Sequence, residues 1–310
     1  MKNILSTCIL SVIFLLTCYS QDLQAVDSIV LSYPSSYKNP SILAKRIAKD
    51  FSTEIEQTRA VYTWITEHIA YSYEESKPTT QIYNSYQNDL KLSYDMALRI
   101  LQTKQAICSG YSQLFQSLMN ELDIESRIIL GTAKTSVEDI GKALSIDHAW
   151  NMVTIDDKNY LIDATWGAGS WKNGFIKDPT DFYFMTKPEL FAQKHYPEDS
   201  KDLLLTKTLS QKEFSSKPLL FSTYMKDINI VTPAKGILER KPNKNKYTFV
   251  LETTLQEEWI SYKLGPKSIT PKFEKTPKGY KFIVDLDKNP KARSMTLFFG
   301  SSALAAYRIK

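Results

Sequence analysis

The stretch AICSGYSQLFQSLMNEL, residues 106–122, decides the fold of this chain. Its apolar side chains recur every three or four residues, at Tyr111, Leu114, Phe115, Leu118, Met119 and Leu122. That spacing predicts a buried amphipathic helix with Cys108 at its start. Unpaired backbone N–H groups and the positive end of the helix dipole favour a thiolate at such a position.

An apolar run near the N-terminus predicts export. Lys2 is followed by ILSTCILSVIFLLTCYS, which is too short and too close to the N-terminus for an ordinary membrane span. Residues 1–20 are therefore predicted to be a signal peptide, cut before Gln21, which directs the protein to the periplasm, the cell surface or the medium. The alternative is a lipobox, LLTC, that makes Cys18 a lipid anchor. Thr17 is unusual before a lipidated cysteine, so ordinary cleavage is favoured, and no transmembrane segment is expected after it.

The number of cysteines in the chain bears on the role of Cys108. The chain holds Cys8, Cys18 and Cys108, and ordinary cleavage removes the first two. An exported protein with one cysteine has no partner for an internal disulfide, so its thiol is either buried and inert or reactive. Without further context the inert interpretation is the better one. The residues downstream reverse that preference.

Charge and ligand types exclude several classes of partner. The net charge is only +5, and the Lys-rich segment 235–246 is best explained as a solvated loop, so no nucleic-acid partner is expected. The chain lacks the clustered ligands of a zinc site. Asp139, Asp156 and Asp157 also lack the spacing of a calcium loop. We therefore expect neither a metal nor a cofactor.

Periodicity predicts helices ahead of the cysteine. Residues 21–40 are polar and are predicted to be a leader, and residues 41–51 have a helical pattern. Thr53 begins T-E-I-E, a capping box for the next helix. Residues 71–93 lack periodicity and predict a long loop. A short helix at roughly 94–103 then leads to the cysteine.

Two runs rich in β-branched and aromatic residues, HAWNMVTI and YLIDATWG, flank the polar turn DDKN and predict a β-hairpin. His148 opens the first strand, and Asp163 is expected on the second. A turn centred on Asp157 and Lys158 would place His148 opposite Gly167, four residues from Asp163. Contact between His148 and Asp163 then needs another register or a bulge.

Cysteine catalysis needs a thiolate, a base for its proton, and a third group that orients the imidazole. Cys108 meets the first need, and His148 and Asp163 can meet the other two. Trp150 and Trp166 flank the pair, either as shields against water or as core aromatics. The sequence therefore predicts a Cys–His–Asp site.

Five segments carry a family resemblance by their order and spacing: VYTWITEHIAYSY, AICSGYSQLFQSL, DHAWNMV, NYLIDATWGAG and FYFMTKPELFAQKHYPED. Together they resemble the transglutaminase-like superfamily, in particular its secreted bacterial branch similar to kyphoscoliosis peptidase. The resemblance covers roughly residues 55–215. It implies an α+β, papain-like core in which the helix carrying the cysteine packs on an antiparallel sheet carrying histidine and aspartate. It also implies Cys108 as nucleophile, His148 as general base and acid, and Asp163 as the orienting acid.

Two further positions follow from the resemblance. The oxyanion donors should be the Cys108 backbone N–H and an upstream side chain, which is a Trp in transglutaminases; Tyr71, Tyr73 and Gln105 are the candidates here. His195, in KHYPED, matches the family's local pattern but is interpreted as a structural histidine outside the site.

Composition changes at Pro218, beyond which alternating runs and turn residues predict a small all-β sandwich. The predicted organisation is a signal peptide at 1–20, a leader at 21–40, a transglutaminase-like catalytic domain at 41–215 and a β-sandwich domain at 218–310.

The predicted function is that of an exported cysteine-dependent enzyme acting on protein or peptide amides through a Cys108 thioester. Transfer of the acyl group to lysine crosslinks proteins, and transfer to water is peptidase or amidase action, which is favoured. The alternative is a non-catalytic cell-surface binding or scaffolding protein that retains the fold. A CoA-dependent acetyltransferase is disfavoured, because export removes the protein from that cofactor.

Overall fold

The computed structural model describes residues 23–73, 90–242 and 245–310. The predicted signal peptide with Cys18, and residues 74–89 of the predicted loop, lie outside this part of the chain. Within it, no helix has both the length and the apolar character needed to cross a bilayer.

The chain divides into two compact units. The first comprises residues up to Leu130 together with His148–Thr186, and the second comprises Gly131–Asp147 together with Lys187–Lys310. The predicted boundaries at 41–215 and 218–310 stay a prediction.

The first unit combines helices with short sheets. Its helices are α1 (Pro40–Asp50), α2 (Glu54–His68), α3 (Leu90–Thr103), α4 (Cys108–Glu121) and α5 (Ala164–Gly167). Its strands are β1 (Ala70–Tyr71), β2 (Gln105–Ala106), the start of β3 (Ser126–Ala133), β4 (His148–Ile155), β5 (Lys158–Ile162), β6 (Gly169–Trp171) and β7 (Phe175–Lys177). Strands β5, β4 and β3 lie side by side in that order, β1 pairs with β2 in parallel, and β6 pairs with β7.

Helix α4 lies in the core of the first unit, as its periodicity predicts. Its buried apolar side chains are Tyr111, Leu114, Phe115, Leu118 and Met119. Each such side chain contributes about 1.5–3 kcal/mol when it is removed from water. The predicted capping box of α2 is also present, because Thr53 and Glu56 exchange side-chain and backbone hydrogen bonds.

The segment predicted as a leader belongs to this core, which corrects the expectation of a polar leader. Residues 23–30 are helical, and Val26, Val30 and Tyr33 are buried at helical spacing. Asp27, on the same segment, accepts two hydrogen bonds from the Arg59 guanidinium at 2.8 and 2.7 Å. Three apolar positions at the right spacing outweigh a polar average composition.

The second unit contains a β-sandwich. Its helices are α6 (Pro188–Phe191) and α7 (Gln211–Ser216), and its strands are the end of β3, β8 (His195–Pro197), β9 (Leu219–Leu220), β10 (Asn229–Thr232), β11 (Ile237–Leu238), β12 (Lys246–Glu252), β13 (Ile260–Leu264), β14 (Lys267–Ile269), β15 (Phe273–Thr276), β16 (Gly279–Asp285), β17 (Ser294–Phe299) and β18 (Ser302–Ile309). One sheet has the order β10–β12–β16–β15, and the other has the order β11–β18–β17–β13–β14. Side chains of both sheets share one core, including Phe249 and Phe282 from the first and Tyr262 and Leu297 from the second. The predicted α+β core followed by an all-β sandwich is confirmed.

The second unit also buries a lysine. Strand β8 pairs with the end of β3, and Lys134 follows directly. Its ammonium donates to the backbone carbonyls of Phe214 at 2.8 Å and Lys217 at 3.0 Å. Burial, helped by the nearby Lys217 charge, lowers the pKa of Lys134 to about 7.

Candidate active site

Cys108 is the first residue of α4, as predicted, and it is half-buried. The preceding Ile107 supplies no side-chain cap, and the first turn carries no acidic residue. No side-chain acceptor therefore competes for the helix start. A Cβ atom at Gly110 would lie 2.9 Å from the Ala106 Cβ, so glycine lets β2 pass close to this turn.

The hairpin of β4 and β5 has a different register from the expected one. Ile155 pairs with Lys158, so the turn consists of Asp156 and Asp157, both in the left-handed region with φ of 48° and 59°. A turn centred on Asp157 and Lys158 is wrong. Two consecutive left-handed residues suit the twist of a two-residue hairpin, and aspartate tolerates that conformation better than lysine.

The observed register brings His148 and Asp163 within reach of each other. Continued past Ile162, it places Thr165 opposite His148, so Asp163 becomes a diagonal neighbour two residues away. The His148 Nε2 atom lies 2.8 Å from Asp163 Oδ2. No bulge is needed for this contact.

Asp163 lies one residue beyond the end of β5, which corrects its expected place on the strand. Its Oδ1 accepts a hydrogen bond from the Trp166 N–H at 3.0 Å and so caps α5. Aspartate is among the best helix caps, and this cap draws the chain out of the strand. One carboxylate oxygen holds the helix while the other holds the histidine.

His148 is nearly enclosed, with an exposed fraction of 8%, and Asp163 is fully buried. Burial by itself lowers the pKa of His148, but the charge and hydrogen bond of Asp163, together with Cys108, outweigh it and raise the pKa to about 10. Because Nε2 is bound to Asp163, the hydrogen bond between His148 and Cys108 uses Nδ1. The ring is therefore an imidazolium at neutral pH, held between a carboxylate and a sulfur.

Aromatic rings flank the pair, as predicted. The Trp166 ring lies 5.2 Å from the His148 ring, and the Trp150 ring lies 6.0 Å from it. Trp150 is buried, whereas Trp166 is only half-buried and meets Tyr183 edge-on. These rings limit the access of water to the bond between His148 and Asp163.

The short helix α5 rests directly on a buried tyrosine. A Cβ atom at Gly167 would lie 2.1 Å from the Tyr62 hydroxyl and 2.7 Å from its Cζ. Tyr62 cannot yield easily, because its hydroxyl donates to the Thr180 carbonyl in the same unit. Glycine at 167 therefore sets how closely the helix that follows Asp163 can pack.

Asn151 is a functional candidate that sequence reasoning missed. Its side-chain amide donates to the Ser112 carbonyl at 3.1 Å, and both partners are buried. Asn151 lies three residues after His148, and Ser112 lies four residues after Cys108. The bond thus ties the strand of the histidine to the helix of the cysteine. An asparagine inside the otherwise apolar HAWNMV run was the available signal, since a buried amide needs a partner.

The three oxyanion candidates lie in different surroundings. Tyr71 is half-buried and pairs with Ala106, two residues before Cys108. Burial chiefly, and then the charge of Cys108, raise the Tyr71 pKa. Gln105 and Tyr73 are exposed. Tyr71 therefore fits the role best.

His195 lies in the second unit, on β8. Its ring is buried and stacks on the Phe191 ring at 4.0 Å, with an angle of 21° between the planes. The structural role given to His195 stays a prediction.

Comparison with known proteins gives a family match and distant relatives. Residues 42–164 match the model of the transglutaminase-like superfamily, a range that includes Cys108, His148 and Asp163. The chain is 27% identical over 187 residues to mouse (Mus musculus) kyphoscoliosis peptidase, covering 56% of this chain and 25% of that protein. It is 29% identical over 196 residues to cytokinesis protein 3 of Schizosaccharomyces pombe, covering 60% of this chain and 20% of that protein.

The matches span only part of those relatives, a quarter of their length or less. A crystal structure of a TGase aligns with 47% of this chain and 36% of its own chain, at 19% identity and a TM-score of 0.29. That likeness is too weak to add to the fold described above. The family match and the relatives lead to one conclusion: residues 42–164, less than half of this chain, are similar to the transglutaminase-like superfamily.

Proposed function

We propose that this protein is an exported cysteine-dependent enzyme that acts on protein or peptide amides through a thioester at Cys108. The observation that carries the proposal is the enclosed His148, bound by Asp163 through Nε2 and by Cys108 through its other nitrogen. An imidazolium beside a sulfur at a helix start is the arrangement that keeps a thiol reactive at neutral pH.

In the acylation step the Cys108 thiolate attacks the amide carbonyl, forming a C–S bond and an oxyanion. The Cys108 backbone N–H and the Tyr71 hydroxyl are the proposed oxyanion donors. When the C–N bond breaks, the amine leaves with the proton that His148 Nδ1 carried. Asp163 keeps the imidazole in the orientation that this transfer requires.

In the second step the thioester is attacked by water or by an amine. The attacking group gives its proton to His148, the C–S bond breaks, and the thiolate is restored. Water yields peptidase or amidase action, and a lysine yields a crosslink. We favour hydrolysis, with a protein or peptide as the substrate and no nucleic-acid partner.

The test is incubation of the mature protein with glutamine-containing peptides, with and without a primary amine, followed by mass analysis. Chain cleavage, deamidation or amine adducts, each absent with Cys108→Ala, support the enzyme and separate its reactions. A protein that forms no product, and whose Cys108 reacts with iodoacetamide only after denaturation, would instead be the non-catalytic surface module.

Export is part of the proposal and rests on the apolar run that follows Lys2. We favour cleavage before Gln21, with a lipid anchor at Cys18 as the alternative. The intact mass of the protein recovered from its own cell envelope separates them. A chain that starts at Gln21 supports the first, a lipidated Cys18 supports the second, and an uncut N-terminus contradicts both.

Tyr71→Phe is expected to lower kcat by about 10- to 1000-fold while leaving KM within a few-fold, because the hydroxyl acts on charge that exists only in the transition state. Steady-state kinetics on any peptide that gives a product in the incubation test measures both constants. Tyr247→Phe is the control, because the Tyr247 hydroxyl donates to the Glu239 carbonyl in the second unit. Equal losses in the two variants, or a change in KM alone, would remove Tyr71 from the oxyanion role.

Asn151→Ala is expected to lower kcat/KM about tenfold or more, because the strand of His148 loses its tie to the helix of Cys108. It should also cost about 1–3 kcal/mol of unfolding free energy, since the Ser112 carbonyl stays buried without its donor. Gln116→Ala is the matched control, because Gln116 on the same helix donates to the Ser126 carbonyl at the same distance of 3.1 Å. A positioning role predicts a larger kinetic loss at 151 than at 116 for a similar stability loss.

A further inference from the structure

Three aromatic rings form an exposed patch in the first unit, here called the aromatic patch: Tyr71, Tyr73 and Trp171. The Tyr73 and Trp171 rings meet edge-on at 4.6 Å, and the Tyr71 ring lies 5.2 Å from the former and 6.0 Å from the latter. Tyr73 is 55% exposed and Trp171 is 49% exposed. Rings of this size are seldom left in water together without a binding role.

The patch is continuous with the candidate active site on the side of the cysteine. Tyr71 is paired with Ala106, and the Ser72 N–H donates to the Ala106 carbonyl at 3.1 Å, so this segment runs beside the residues that lead into Cys108. The charge of Cys108 also contributes to the raised pKa of Tyr71. The half-buried ring of the patch therefore belongs to a residue close to the nucleophile, and the two exposed rings contact that ring.

The patch is also connected to the helix that Asp163 caps. Trp171 ends β6, which follows α5 directly, and the β6–β7 hairpin is held in place by Lys177. The Lys177 ammonium donates to the carbonyls of Thr66 and Ile69, just before β1. Both segments of the patch are thus anchored to each other beneath the rings.

We propose that the aromatic patch is a substrate subsite that binds a large apolar or aromatic side chain of the polypeptide, next to the residue whose carbonyl reacts with Cys108. This inference rests on the proposed function and names its substrate class. Tyr71 forms the inner wall of the subsite, and Trp171 and Tyr73 form its outer wall. The side chain bound there is separate from the group that is transferred.

The chemistry of the patch favours an apolar side chain over a charged one. Its surface consists of ring faces and edges, and contact with such rings is worth about 0.5–1.5 kcal/mol for an aromatic partner beyond the area buried. A cationic side chain can also bind over a ring. Here the hairpin carries the exposed Lys172 and also Lys177, and these like charges oppose a lysine or arginine at this place.

The test uses peptidyl chloromethyl ketones, which alkylate Cys108 as the thiolate displaces chloride. The reagents differ in the residue just before the reactive one, which is Phe, Leu, Gly, Lys or Glu. Each second-order rate constant is divided by the rate constant for iodoacetamide, which reports the thiol without the subsite. We expect the rate constants for Phe and Leu to exceed that for Gly by about tenfold or more.

Trp171→Ala should reduce that preference to less than about threefold, and Trp171→Phe should keep most of it. The iodoacetamide rate should stay unchanged in both variants, which shows that the thiol environment is intact. Trp259→Ala is the control, because Trp259 is 59% exposed but lies on the β-sandwich of the second unit. Its preference should equal that of the wild type.

Each remaining outcome decides against one claim. If Cys108 reacts with iodoacetamide but at equal rates with all the peptide reagents, the proposed subsite is wrong and the proposed function stands. The same holds if the preference for apolar residues survives Trp171→Ala. A preference for Lys or Glu overturns its apolar character. A native Cys108 that is inert to iodoacetamide overturns the proposed function, and the subsite with it.

Discussion

His148→Ala is expected to lower the rate of acyl transfer by about 10³- to 10⁵-fold, the largest loss short of removing the sulfur itself. The variant loses the group that keeps the Cys108 proton, and also the acid that protonates the departing amine. What remains is binding and oxyanion stabilisation. Single-turnover release of amine from the peptide substrate measures this loss.

The same variant should lose reactivity toward iodoacetamide at low pH. With a pKa near 10, His148 remains an imidazolium beside the sulfur throughout the neutral range, so wild-type alkylation should persist at pH 6. In His148→Ala, which lacks that cation, alkylation at pH 6 should be much slower than in the wild type. His68→Ala is the control, because that ring is bound to the Trp64 carbonyl on α2 and has no contact with Cys108 in the described structure. Equal pH profiles for wild type and His148→Ala would end the case for an ion pair.

Asp163→Asn is expected to reduce kcat/KM by about 10³- to 10⁴-fold while leaving the fold intact. Asparagine is as good a helix cap as aspartate, so the hydrogen bond from the Trp166 N–H survives and α5 keeps its place. With its oxygen on the Trp166 N–H, the asparagine turns its NH2 group toward His148 Nε2, so the imidazole loses both the negative charge and the hydrogen-bond acceptor of Asp163. Asp163→Ala removes both cap and charge, and should therefore add a stability loss of about 1 kcal/mol or more to the same kinetic defect.

The charge of Asp163 should also be visible in the pH dependence of stability. The pKa of His148 is raised from 6.5 to about 10 on folding, so its contribution is fully present below pH 6.5 and is lost as pH rises toward 10. In Asp163→Asn burial still lowers that pKa, but the opposing charge is gone. The difference in Tm between wild type and variant should shrink between pH 6.5 and 10. A constant difference would contradict the assignment.

The sequence anticipates the fold well where a single period dominates. Three features can be predicted because each depends on residues within one or two helical turns. They are the apolar face of α4, the capping box at Thr53 and the start of the helix at Cys108. The sequence also predicts the β4–β5 hairpin, but it does not predict the register of the two strands. That register depends on which two turn residues accept a left-handed backbone, and the DDKN turn offers more than one choice.

The candidate site shows the same limit. His148 and Asp163 could be named, yet their contact depends on a two-residue shift that brings them from four positions apart to two. Asn151, Trp171 and the buried Lys134 were missed, because their roles depend on partners distant in sequence. The polar leader expected at 21–40 differs from the structure because average polarity hid Val26 and Val30 on one helix face, and Tyr33 just beyond that helix. The roles given to Cys108, His148 and Asp163 stay predictions until the kinetics are measured.

The close packing of Gly167 on Tyr62 has a consequence for how this sequence can vary. Any side chain at 167 would have to displace a fixed phenol, because its Cβ atom would lie 2.1 Å from the Tyr62 hydroxyl. In a library that randomises every position and selects for folded protein, we would therefore see position 167 restricted to glycine. A side chain at 167 would fit only after Tyr62 had been replaced by a smaller residue. We therefore expect substitution at 62 to come before substitution at 167.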